Sequence, residues 1–576
     1  MNDNPRASDD HIRLGLFLVL TALAFLLLTS VGAITIGAAF LVAWFFGRPA
    51  LLALIASVIG AVSILILVQT SGFWIFLHES FIAYAVALQQ TSYIRATAGR
   101  WVIYAINPSA WLNLSPLAMV AGAACILLLE DHKISRRRKV SGDHAVPQPS
   151  PWARLMIRRI LRGPAIYRDA LVIGANALTG KRIVLTEHEL NRATVCVGRS
   201  GAGKTTTILN FVEYAVSRGI PVLMIDHKGD RSLGETICRL ARENGRPSYL
   251  FDAQDTDTSC FYNPLTARNY TARADCIVGL RDNWTEEHYK LLATEQIQTT
   301  FRVLEYLGIE SDLVQLPHFM TSQVLLALVR SRGLRGSEYQ TLANDIMKMK
   351  ENEKAGIGSL RASITNLTTA SFGPLFDLAL ARELNKPILE LPTARREGAV
   401  VYFGLSALVF PETSKRFFAL ISNDLKNALA AQNTPWLNIF DECSSMGPQV
   451  INIVNQGRTY GCLAVLGTQS FSDFILPSHP QFVRQVVASA NAFIFHDLTD
   501  PEDAELAARI IGTSLTVGQT SQMVGDSATG VSSAREVREF RVHPDDLKSS
   551  ATGEAYVLNK SRKEIFLHTK IRRGNF

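Results

Sequence analysis

The sequence predicts an α/β protein: a mostly parallel sheet interrupted by an all-α insertion, behind an N-terminal transmembrane helical region. Three observations carry that prediction. Short apolar runs that end in polar residues recur through the C-terminal three quarters of the chain, as at Thr194–Val197, Pro221–Ile225, Tyr249–Phe251, Val400–Leu405, Leu437–Phe440, Leu463–Gly467 and Ala492–Phe495. A segment of about a hundred residues between two of these runs, 271–374, carries only helical spacing. Finally, Arg48 is the one charged side chain between Leu14 and Leu77. A bilayer span needs about 20 apolar residues, so that stretch is too long for one helix and too apolar for a soluble core.

The apolar head divides at Ser30–Gly32 and at Gly47-Arg48-Pro49. Together with Trp111–Leu129 this gives four expected spans, about 14–30, 33–47, 50–70 and 111–129, within an anchor of residues 1–133. Acids Asp9 and Asp10 in front of the first run, and the length of the run itself, argue against a cleaved signal peptide.

The anchor holds six basic and six acidic residues, whereas the next stretch, 134–168, holds nine basic residues against Asp143. That basic juxtamembrane linker accounts for the net charge of +7. Its position fits anionic lipid on the cytoplasmic side, which places the body in the cytoplasm and makes net charge weak evidence for a nucleic-acid partner. The seven cysteines form no C-x-x-C pair and the histidines no H-E-x-x-H, so neither a disulfide framework nor a zinc site is expected.

The body divides into a nucleotide-binding domain in two parts, 169–270 and 375–576, around the 271–374 insertion. After the β-rich run Thr194–Val197 comes GRSGAGKT, Gly198–Thr205, which matches G-x-x-x-x-G-K-[ST] in full and is followed by helical spacing at Thr206–Ser217. Glycines let backbone N–H groups approach phosphates, and the helix N-terminus adds the positive end of its dipole. The candidate cradle is Gly198, Ser200, Gly201, Ala202, Gly203, Lys204, Thr205 and Thr206. Lys204 would meet the β/γ-phosphates of ATP, and Thr205 would meet Mg²⁺.

Asp441-Glu442 closes the run LNIF. In that position Asp441 would hold Mg²⁺ through water, and Glu442 would activate the attacking water. Asn438 departs from the apolar pattern of that strand. Arg330, Arg332 and Arg335 in the insertion fit a solvated face better than a phosphate track.

Motif order adds a resemblance. GRSGAGKT, IDHKGD at 225–230, YNPL at 262–265, IFDECSSMG at 439–447, NQGRTYGCLAVLGTQSFSDF at 455–474 and the closing segment 535–558 together resemble type IV secretion system coupling proteins, the TraD/TraG conjugation ATPases related to FtsK and HerA. The resemblance implies a RecA-like P-loop NTPase core in a homo-hexamer at the bacterial inner membrane. Such a ring hydrolyses ATP and moves DNA with its relaxase, or protein effectors, toward a type IV secretion channel. It also implies that Gln469 senses the γ-phosphate and that Arg458 reaches a neighbouring subunit's site as a trans-acting finger. A cation at a helix C-terminus, favoured by the helix dipole, is the plainer account of Arg458.

Departures are His227, where the family has proline, and more spans than its usual two. The chain also stops soon after the closing segment, so cargo docking is expected through the insertion or an adaptor. Two alternatives remain: an ATP-binding membrane receptor that does not turn over, and an FtsK-like double-strand DNA translocase.

Overall fold

A computed structural model of the chain describes residues 149–574, apart from 282–283, 285, 333–335, 353–356, 448, 476–478, 525–526 and 563–565. The four expected spans and residues 134–148 of the basic linker lie outside the described residues. Among the described residues no helix is long and apolar enough to cross a membrane.

Residues 152–576 form one compact unit. Its strands, in chain order, begin with β1 (Ile166–Tyr167), β2 (Ala170–Asn176), β3 (Arg182–Leu185) and β4 (Ala193–Val197). β5 (Val222–Asp226), β6 (Ser248–Asp252), β7 (Phe261–Tyr262) and β8 (Ile388–Leu389) follow. Then come β9 (Val400–Gly404), β10 (Trp436–Asp441), β11 (Cys462–Thr468) and β12 (Ala490–Phe495). β13 (Thr513–Val524), β14 (Ser527–Phe540), β15 (Glu554–Asn559) and β16 (Phe566–Ile571) complete the set.

Twelve strands make one sheet, in the order β1-β2-β16-β15-β12-β4-β11-β10-β5-β9-β6, with β3 on β2. The seven from β12 to β6 are parallel, and β15, β16 and β2 extend the sheet antiparallel. All seven runs expected from the sequence are these parallel strands. Strands β4, β5, β9, β10 and β11 are buried at every position, which is why they read as continuous apolar runs rather than alternating ones.

Helices cover both faces. Ile208, Phe211 and Val212 of helix Lys204–Ser217 pack with Cys196, Val222 and Met224 on one face. On the other, Val195, Val197, Leu223 and Ile225 pack with helix Pro411–Ala430 and with the insertion.

From Tyr270 to Thr368 the described residues form helices only, including Glu287–Tyr306, Ser322–Ser331, Ser337–Asn352 and Ile357–Thr368. An aromatic cluster ties the exit of this helical segment to the sheet: Phe372 and Phe376 meet Phe251 of β6, and Phe251 stacks on Phe417 at 5.0 Å between ring centroids. A short parallel pair, β7 with β8, closes the same junction.

Three features differ from the sequence expectation. The end of the expected linker is a helix, Pro151–Leu161, with Ala153, Ile157 and Ile160 buried and Arg154, Arg158 and Arg159 exposed. Its apolar positions recur at helical spacing, but the density of arginine masks them. Thr513–Phe540 forms an antiparallel hairpin whose 12- and 14-residue strands make a two-stranded sheet of their own among the described residues. Asn438 is fully buried inside β10, where its Nδ2 donates to the Trp436 carbonyl at 2.9 Å.

A polar knot closes the antiparallel wing. Buried Glu189 accepts from Arg562 through both oxygens (2.6 and 2.7 Å), from Asn559 Nδ2 (2.7 Å) and from the Thr186 N–H (2.8 Å). Burial alone would raise its pKa, but these donors hold the carboxyl down at about 2. A depressed carboxyl stabilises the fold above its ordinary range near 4.5, and that contribution disappears as pH falls through this range toward 2. Glu189→Gln should therefore lower the melting temperature at neutral pH, with the deficit shrinking as pH falls from about 5 toward 3. Thermal melts of the full chain across that range check it.

Candidate functional site

The parallel strands place their C-terminal ends along one edge of the sheet, where ligands bind in open α/β folds. At the end of β4 the chain turns through Gly198–Gly203 and enters helix Lys204–Ser217. Two of its glycines sit in the left-handed region, Gly201 at φ 77° and Gly203, the N-cap, at φ 113°. Any side chain there would be strained. A Cβ on Gly201 would meet no atom within 4 Å, so its surroundings are open.

Ser200, Gly201 and Thr205 are exposed on this loop, Thr206 is half-buried, and Ala202 is buried. Lys204 is buried, and its Nζ donates to the Gly198 carbonyl across the mouth of the loop. Burial pushes its pKa down, while Glu442 and Asp441 push it back up.

Sequence reading missed how this loop is held. Arg199 Nε pairs with Asp497 Oδ2 at 2.5 Å, and the Arg199 N–H donates to the Asp497 carbonyl at 3.0 Å. Thr207 Oγ1 lies 3.0 Å from Nε2 of buried His496, and a Cβ on Gly198 would come within 2.5 Å of the His496 Cβ. The Gly553 N–H, from the closing segment, donates to the Ala202 carbonyl at 3.2 Å. His496-Asp497 directly follows β12, and a polar pair at a strand end was the available signal.

Asp441 ends β10 and is directly paired with Asp226 at the end of β5. Between β10 and β4 runs β11 alone. At about 4.8 Å per strand, Asp441 and the start of the glycine loop lie about 10 Å apart on the same edge. Asp441 is buried, and burial together with Asp226 pushes its carboxyl up to about 6, although Lys228 and Lys204 pull the other way. Gly467 of β11 makes room for it, since a Cβ there would sit 2.6 Å from Asp441 Oδ1.

Glu442 follows in the left-handed region at φ 54°, unusual for a residue with a side chain. Its Oε1 accepts from Gln469 Nε2 at 2.8 Å and pairs with Lys228 Nζ at 2.5 Å. Lys204, Asp441, Glu442 and Gln469 therefore converge on one edge.

Arg458 does not join them. It precedes β11 at the opposite edge, about 20 Å away by the length of that strand. There it is exposed and lines an open cavity of about 860 Å³ with Glu187, His188, Asn191, Asn433 and Asn455. Buried Arg395 braces the turn that carries it by donating to the carbonyls of Ala428, Leu429, Thr434 and Tyr460. Arg330 and Arg332 are exposed on the helical segment, and Arg335 lies outside the described residues.

The donor set fits a magnesium–nucleotide better than a metal held by protein alone. Among the described residues no group of three or more His, Cys, Asp or Glu is placed to hold a metal ion. Mg²⁺ characteristically takes one or two protein oxygens and completes its shell with phosphate and water. Thr205 would supply such an oxygen and Asp441 would hold a water of the shell, and a cation would relieve the cost of the carboxylate pair Asp441–Asp226. Gly467→Ala, which crowds Asp441, should weaken Mg²⁺-dependent nucleotide binding about tenfold or more while leaving magnesium-free binding and the melting temperature little changed. Titration with a fluorescent nucleotide, with and without Mg²⁺, checks it.

Strand order, glycine loop and acidic strand end define an α/β core of the P-loop class. No family model matches the chain. It is similar to the type 4 coupling protein DotL of Legionella pneumophila, at 21% identity over 472 residues, 69% of this chain and 60% of that protein. The chain thus spans about three fifths of that relative's length. A shorter match, 34% identical over 64 residues, is to an uncharacterized protein of Mycoplasma pneumoniae, covering 10% of this chain and 53% of that one. Among solved structures, the bacterial conjugative coupling protein TrwBdeltaN70 aligns with a TM-score of 0.47 at 13% identity, over 70% of this chain and 89% of that one. VirB4 of Thermoanaerobacter pseudethanolicus aligns with a TM-score of 0.43 at 14% identity, over 71% and 98%. The resemblance to type IV coupling proteins read from the motifs is borne out by the match to DotL.

Proposed function

We propose that the chain is a membrane-anchored, ATP-driven coupling protein that recruits a relaxase–DNA complex, or protein effectors, and drives it into a type IV secretion channel. The observation that carries this reading is the meeting of Lys204 with Asp441, Glu442 and Gln469 on one sheet edge. Backbone N–H groups of Gly198–Thr206 and the Lys204 ammonium bind the phosphates. Thr205, and Asp441 through water, would hold Mg²⁺, which would supply charge neutralisation at the phosphoryl group. Glu442 accepts a proton from the attacking water, and Gln469, bonded to it, reports on the γ-phosphate.

Arg458 acts on a neighbouring subunit of a homo-hexamer. Its exposure at the edge opposite its own chain's loop supports a role in trans. DNA would pass the ring by sequence-independent phosphate contacts. The apolar head 1–133 anchors the assembly as a multi-pass segment in the bacterial inner membrane, with the linker's arginines against anionic lipid and the body in the cytoplasm.

In the full chain, Lys204→Ala should lose nucleotide binding. Glu442→Gln should keep it while kcat falls by roughly 10²–10⁴. Both should abolish cargo transfer between cells. Parent-like transfer by the Glu442→Gln protein would instead favour a receptor that binds nucleotide without turning it over.

A further inference from the structure

Lys228 has no part in the reading above, yet its surroundings are built with unusual care. It lies in Asp226–Asp230, the loop that leaves β5, and each neighbour is fixed by a separate contact. Fully buried Asp226 accepts the Lys228 N–H through Oδ1, and through Oδ2 the Asp230 N–H and the Tyr402 hydroxyl of β9, all at 2.8 Å. His227, buried, stacks on Phe418 of helix Pro411–Ala430 with ring centroids 3.5 Å apart, and its carbonyl accepts the Ala407 N–H at 3.0 Å. Gly229 turns at φ 65°, where a Cβ would come within 3.0 Å of the Ser406 nitrogen. Asp230 caps the next helix by accepting the Leu233 N–H at 3.2 Å.

On this fixed backbone the Lys228 side chain reaches Glu442 Oε1 at 2.5 Å. A half-exposed ion pair adds little to stability, so stability alone does not call for such a mount. Its geometric effect is large, however. Glu442 Oε1 takes donors from β5's loop and from β11's end at once, the ammonium of Lys228 and the amide of Gln469. Two donors from different strands on one oxygen fix the plane of the carboxylate, and hence the direction of its second oxygen.

We propose that Lys228 is a positioning residue for Glu442, setting the carboxylate plane from which it takes the water's proton. The inference rests on the assignment of Glu442 as the base. It predicts that Lys228 acts on kcat through Glu442 alone, and that the His227–Phe418 stack holds the loop in place for it.

The test is a double-mutant cycle in the full chain, measuring steady-state turnover of ATP with Mg²⁺. Lys228→Met should lower kcat about tenfold or more, with KM and the melting temperature little changed. Lys228→Arg, which keeps a donor and its charge, should retain clearly more kcat than Lys228→Met. In a Glu442→Gln background, Lys228→Met should cost nothing further, because the group it orients is gone. A Glu442→Gln protein with parent-like kcat would remove the assignment of the base and this inference with it. A protein sensitive to Glu442→Gln but not to Lys228→Met would remove this inference alone. So would a full additional loss from Lys228→Met in the Glu442→Gln background, or a rise in KM in place of the fall in kcat, which would make Lys228 a phosphate ligand.

Discussion

The candidate site depends on the parallel register of β4, β11 and β10. Cys196 and Val197 pair with Gly467 and Thr468, and Phe440 pairs with Leu466, so the three strands end level with one another. A slip of one residue would turn every side chain of a strand to the other face. Asp441 would then point away from the edge on which Lys204 stands. The register is enforced by burial on both faces, since none of the three strands has an exposed residue to spare. Gly467 completes the arrangement, because a larger residue beside Asp441 would push its carboxylate out of line.

Much of this was legible in the chain. The glycine loop announces itself because phosphate binding needs glycine and lysine at fixed spacing, and the parallel strands do so because burial on both faces keeps polar residues few within them. Helical periodicity between Tyr270 and Thr368 is as plain, since each helix there buries one face and exposes the other. What stayed hidden was whatever depends on residues distant in sequence. Nothing near Ala202 indicates that Gly553 will bond its carbonyl, and nothing near Arg199 indicates Asp497. The hairpin Thr513–Phe540 escaped notice for a different reason. Among the described residues its strands pair with each other, and their serine-, threonine- and glycine-rich sequence lacks the apolar runs that reveal the sheet strands.

His227 shows how a departure from a family pattern acquires a physical meaning. Where the coupling-protein pattern has proline, this chain has an imidazole with both ring nitrogens buried and unpartnered, stacked on Phe418. Burial lowers its pKa to about 3, so it is neutral at physiological pH and packs as an aromatic ring. Helix Pro411–Ala430 packs against helices Tyr270–Val278 and Ile357–Thr368 on its other side. The same ring that fixes the loop of Lys228 is thereby one contact away from the helical segment.

The central claim is that the glycine loop and the acidic strand end share one metal–nucleotide. The most direct measurement is pulsed electron paramagnetic resonance of Mn²⁺ in place of Mg²⁺, bound to the full chain together with ADP. The account predicts a ³¹P coupling to the bound metal in the parent, and loss of the bound signal in both Thr205→Ala and Asp441→Asn. An unchanged signal in those two variants, or bound Mn²⁺ without phosphorus coupling, would contradict it.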